Sequence, residues 1–166
     1  MELQIEFDKA VAFINSIGIS VIFQPIESAS FLPGLSIHNG SIMVDKTKLK
    51  YPGDILHEAG HIAVVPAAER ATLCEADIAV RKDRGAEEMM SIAWSYAACI
   101  HLQLDPSFVF HDQGYKGGGG SIADNFSQGQ YFGVPMLQWV GLALEEKRAA
   151  EENKPAYPVM LQWIRD

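Results

Sequence analysis

Two histidines four residues apart, His57 and His61, constrain this chain more than any other feature. Glu58, Ala59 and Gly60 stand between them, and the segment reads as a helix that starts near Tyr51-Pro52-Gly53-Asp54 and is bounded by Pro66. Asp54 suits the positive end of the helix dipole. Positions four apart stack on one helix face, so both imidazoles project together and the Glu58 carboxylate sits on their flank. Small Ala59 and Gly60 let a second backbone come close at that point. With five His in the chain, chance placement yields an H-E-x-x-H pattern in about one per cent of arrangements.

That residue set predicts a metal site. Zinc is the expected ion, because it accepts imidazole nitrogen and carboxylate oxygen and keeps one position open for water. It lowers the pKa of that water toward ~7, and Glu58 is placed to act on it as general base. A third ligand is required. The extended metzincin pattern fails, since Val64 and Ala67 occupy the positions of its glycine and third histidine. Peptide deformylases use an upstream cysteine, whereas Cys74 and Cys99 both lie downstream. The remaining candidates are Glu69, Glu75, Glu87 and Glu88. Glu69 and Glu75 follow Pro66 closely, which leaves little chain for a return to the first helix. Glu87 and Glu88 open a long apolar helix expected over Ala86–Leu104. Glu88 shares its stripe with Ser91, Ile92, Ser95 and Cys99, small enough for close packing, and is favoured. Glu87 is expected as a solvated charge at the helix start.

Elsewhere the pattern is α+β. A helix is expected over Phe7–Ile17, stopped by Gly18, followed by a strand at Ile19–Phe23. Leu35–His38 and Ser41–Val44 flank Asn39-Gly40, a pair that tolerates the positive φ of a tight hairpin turn. The second of these strands is expected to expose an edge for an extended peptide. A short helix is expected around Leu73–Val80. The glycine-rich Gly114–Gly120 segment reads as a loop. Two similar pentamers, Met136–Val140 and Met160–Ile164, read as packing helices joined by an acidic, solvated stretch from Glu145 to Lys154. Tyr131, Trp139 and Trp163 are expected in the core.

A length of 166 residues predicts a single domain, 1–166. Thirteen Lys plus Arg against 21 Asp plus Glu leave a net charge of -8, which argues against a nucleic-acid or membrane-surface partner. Cys74 and Cys99 read as free buried thiols. Met1-Glu2-Leu3-Gln4 lacks a signal-peptide pattern, and no segment is suited to span a bilayer, so a cytoplasmic location is expected. Lys116 precedes the glycines, the reverse of a phosphate-binding loop. His111 and Tyr115 could donate to an oxyanion, although a solvated surface loop is the preferred reading. His101 reads as a packing or capping residue and His38 as solvent-facing.

The hairpin, the His57-Glu58-Ala59-Gly60-His61 helix and Glu88 opening an alanine-containing helix resemble the ImmA/IrrE zinc metallopeptidases over Leu35–Ala98. The segment Glu88-Met89-Met90-Ser91-Ile92-Ala93 keeps the acid and final alanine of that family's E-A-N-x-F-A pattern. The resemblance implies a zincin-like fold, with a small antiparallel sheet on a helical core. It also implies zinc at His57, His61 and Glu88, and Glu58 as general base. The expected function is a zinc-dependent hydrolase, a metallopeptidase acting on a peptide or protein substrate. The alternative is a catalytically inactive, zinc-stabilised binding or regulatory protein.

Overall fold

In a computed structural model covering residues 1–166, helix α1 (Glu2–Ser16) leads into strand β1 (Val21–Phe23). Phe7, Ala10, Phe13 and Ile14 form the buried face of α1. Gly18, at φ 95°, reverses the chain after it. The helix begins five residues earlier than Phe7, because nothing in its first turns stops it. Strands β2 (Leu35–His38) and β3 (Ser41–Val44) follow and pair antiparallel across the expected turn. Asn39 and Gly40 hold φ of 48° and 70° there, as a two-residue turn requires. Gly40 N–H donates to Leu73 O at 2.9 Å, tying the hairpin tip to a later connection.

The sheet order is β1-β3-β2, with β1 parallel to β3 and Val21 opposite Ile42. It is therefore mixed rather than antiparallel. β3 lies in its centre, so the strand before the metal-binding motif exposes no edge. Ile42 and Val44 are fully buried by that placement, and the outer strands alone retain unpaired edges. Immediately after β3, the Asp45 carboxylate accepts from Ile26 N, Thr47 N and Thr47 Oγ1 at 3.0, 3.0 and 2.6 Å. Those bonds anchor the irregular segment between β1 and β2, which carries Phe31.

The helical part comprises α2 (Asp54–Val64), α3 (Ala67–Arg70), α4 (Glu75–Ile78), α5 (Arg84–Leu102), α6 (Gly119–Ser127), α7 (Val134–Trp139) and α8 (Glu146–Glu152). Every residue of α5 from Met90 to Cys99 is buried, as expected for a helix apolar all round. It runs through the middle of one continuous hydrophobic core that draws on elements from α1 to Tyr157. Trp94 is enclosed there, its Nε1 donating to Trp163 O at 2.9 Å. No helix is long and apolar enough to cross a membrane. Cys99 is buried and Cys74 half-buried; both are free.

Three expectations give way. The glycine run is not all loop: Gly119 and Gly120 open α6. A Cβ at Gly119 would lie 2.8 Å from the carbonyl carbon of Phe110, so close packing calls for glycine there, while buried Phe126 draws the helix into the core. The second pentamer is not helical. Leu161 and Gln162 N–H donate to Leu142 O, and Arg165 just beyond donates to Ala63 O, so the backbone bonds here are spent on other segments. Trp139 is 90% exposed and Tyr131 38% exposed, because α7 turns Val134 and Leu137 inward instead. Trp163 does pack inside, edge-on to Phe13 and Trp94. The acidic stretch is exposed apart from buried Ala149 and half-buried Glu152, yet folds as α8.

A close approach at Gly60 joins α2 to α5. A Cβ on Gly60 would stand 3.0 Å from Ser91 O and 3.1 Å from Ser91 Cα. Ser91 Oγ turns back to Glu87 O at 2.7 Å, and Ser95 Oγ to Ser91 O at 2.6 Å. Neither hydroxyl therefore enters the crossing unpaired. Gly60→Val forces the helices apart and should cost about 1–3 kcal/mol, the range for overpacking, measured by urea unfolding. Unchanged stability would mean that the crossing is loose.

Candidate metal centre

α2 presents Asp54, His57, Glu58 and His61 within two turns, and α5 presents Glu88 in its second turn. Gly60 precedes His61, and Ser91 follows Glu88 by three residues, on the same helix face. The Gly60–Ser91 crossing therefore sets these side chains opposite each other. Glu88 Oε2 lies 2.9 Å from His61 Nε2, and Glu88 Oε1 lies 3.4 Å from His57 Nε2. The two Nε2 atoms are 3.0 Å apart, their rings edge-on at 87°. Ligand atoms of His57, His61 and Glu88 all fall within 4.8 Å of one another and could hold a metal ion.

Two imidazole nitrogens and a carboxylate at these distances are donors that could share one cation. His57 is pushed down to about 3 by burial, then by the charge on His61, against the pull of Glu88. It stays neutral, as a ligand must. Burial acts downward on His61 too, but the Glu88 hydrogen bond and the charges of Glu58 and Glu88 outweigh it and raise its pKa. Glu88 is raised by burial and brought below its usual value by the His61 hydrogen bond and the His57 charge.

Glu58 is 6% exposed and has no hydrogen-bond partner. Burial raises its carboxyl to about 7, helped by Glu75, Asp54 and Glu88 and opposed by His61. It opens onto a cavity of about 330 Å³ shared with His57, His61, Glu88, Glu75, Phe31 and Ile78. A second cavity of about 410 Å³ lies on the other side of His57 and Glu88, walled by Tyr51, His111, Tyr115 and Phe31. Phe31 is 88% exposed, and its N–H donates to Glu75 Oε1 at 3.2 Å.

Of the four candidate acids, only Glu88 reaches the histidines. Glu87 is not a solvated charge. It is 4% exposed and accepts two bonds from Arg81, from Nε at 2.7 Å and Nη2 at 2.8 Å. Arg81 Nη2 also donates to Glu69 Oε2 at 2.7 Å. Helices α3 and α5 converge on this guanidinium, which keeps both acids away from the metal-ligating position. Glu75 lines the first cavity without joining the cluster. Its short helix α4 returns closer to α2 than the intervening chain length implied.

His111 is not a solvated loop histidine either. Its Nε2 lies 2.8 Å from Asp54 Oδ1, its ring stacks on Tyr51 at 4.3 Å, and its Nδ1 is buried without a partner. Burial raises the Asp54 pKa, against the pull of His111. Tyr115 Oη lies 3.2 Å from His57 Nδ1, and burial, then the charges of Asp54 and Glu88, hold its phenol well above the ordinary range. The Asp54–His57 spacing, one helical turn, is a sequence signal for a shared face. Nothing local announces Arg81 or Phe31. His101 is exposed and packs on Phe13 and Trp163. His38 is exposed, 3.7 Å from Cys74 Sγ.

No protein-family model, no curated protein and no solved structure matches this chain.

The Arg81 clamp yields a direct test. Arg81→Met strands a buried Glu87 and should cost about 3 kcal/mol, the range for breaking a buried ion pair. The Arg81→Met, Glu87→Met double variant should recover most of that loss in urea melts. A double variant no more stable than the single one would show that packing of the Arg81 stem dominates.

Proposed function

We propose that this chain is a zinc-dependent hydrolase of zincin-like type, acting on peptides, with zinc held by His57, His61 and Glu88. The observation that carries this reading is the convergence of those three side chains beside a buried, unpartnered Glu58 in one open cavity. When bound, zinc supplies Lewis acidity, lowering the pKa of a coordinated water and polarising a carbonyl. Two imidazoles and one carboxylate are the donor set of a catalytic rather than a closed structural site. The resemblance of the motif and of Glu88 to the ImmA/IrrE metallopeptidases points to the same activity.

The chain's own residues divide the work. His57 and His61 each offer Nε2, and the α2–α5 crossing holds Glu88 against them. Glu58 is the general base: its carboxylate takes a proton from the attacking water and returns it to the leaving amine. Burial without a hydrogen-bond partner leaves that carboxylate free to accept. A peptide lying across the site would pass beneath Phe31, which borders both cavities.

Glu58→Gln keeps the shape of the side chain and removes the base. Zinc content should be unchanged, while cleavage of a mixed peptide library falls about 10²–10⁴-fold. Loss of zinc together with activity would make Glu58 structural. Zinc binding by the parent chain without any cleavage would favour a zinc-stabilised binding protein instead.

A further inference from the structure

We propose, resting on the zinc reading above, that Tyr115 is a positioning residue that fixes the tautomer and orientation of His57. An imidazole that offers its Nε2 lone pair to a cation carries its proton on Nδ1. A buried N–H left without an acceptor is costly. Tyr115 Oη, 3.2 Å away, is the acceptor that His57 Nδ1 finds, across 58 residues of sequence. The two rings are perpendicular, their centroids 5.5 Å apart at 89°. His61 has no such partner at Nδ1; its contacts, to Glu88 and His57, are at Nε2.

The surrounding backbone is arranged around this contact. Tyr115 and Lys116 both sit in the left-handed region, at φ 53° and 55°, where a non-glycine residue costs about 1 kcal/mol or more. Bonds from Gly117 N–H to Gly114 O and from Gly118 N–H to Tyr115 O, at 2.9 and 3.0 Å, hold that conformation. The Tyr115 ring rests on Phe110 at 5.4 Å, and Phe110 is itself buried. Two successive strained residues flanked by glycines thus deliver one hydroxyl to the far nitrogen of a metal-binding histidine. The glycine-rich segment is thereby given a task. It carries the outer support of His57.

Tyr115→Phe removes the hydroxyl and keeps the ring on Phe110. Zinc affinity, measured by competition with a chelator of known strength, should fall 10–100-fold, the usual effect of losing an outer-shell partner. Thermal unfolding of the metal-free chain should stay close to that of the parent. In ¹⁵N-histidine NMR of the zinc-loaded parent, His57 should carry its proton on Nδ1 and exchange it slowly with water. Rapid exchange is expected in the variant. Equal zinc affinity in parent and variant would overturn the role of Tyr115 while leaving the zinc site standing. Should the variant fail to fold, the parent spectrum decides alone: a His57 protonated on Nε2 overturns the assignment. No zinc binding by the parent would overturn the hydrolase reading and this inference together.

Discussion

The architecture depends on one close approach, the crossing of α2 over α5 at Gly60 and Ser91. Only a residue without a Cβ passes there without displacing the Ser91 backbone. Each participant lies within one turn of a candidate ligand, so the distance between helix axes also sets the distance from His61 to Glu88. A core contact and a site geometry are thus the same constraint. The two serines under the crossing are bonded back to their own helix, which makes a small polar side chain tolerable where a larger apolar one would not fit.

Around that crossing the buried acids are matched one by one. Glu87 has the Arg81 guanidinium and Asp54 has His111. The cluster of His57, His61 and Glu88 contains no Arg or Lys. Glu58 stands beside it with no partner at all. Its carboxyl opens onto the cavity instead of meeting a neighbouring side chain.

Much of this was legible in the residues. The hairpin at Asn39-Gly40, the helix from Asp54 to Val64 and the burial of α5 follow from local chemistry: turn preference, helix punctuation by Pro66 and an apolar run. The expectation that Glu88, and not Glu87, faces the two histidines also followed, from the small side chains sharing its face. What escaped were pairings between distant segments. β1 comes to lie against β3 through the parallel ladder, and no local pattern announces that partner. Arg81 captures Glu87 across a turn whose path is irregular, so the acid that looked solvated is enclosed. Tyr115 reaches His57 only because two residues adopt positive φ. The Met160–Ile164 pentamer copies a helical sequence yet is irregular, with Leu161 and Gln162 bonded to Leu142 instead of to a helical turn.

The most direct test of the central claim is the zinc content of untagged chain purified without added metal, by mass spectrometry, beside Glu88→Gln and His61→Ala. About one zinc per chain in the parent, lost or strongly weakened in both variants, is the expected result. A parent that takes up no zinc even after incubation with it, or variants that keep full occupancy, would contradict the three-residue site.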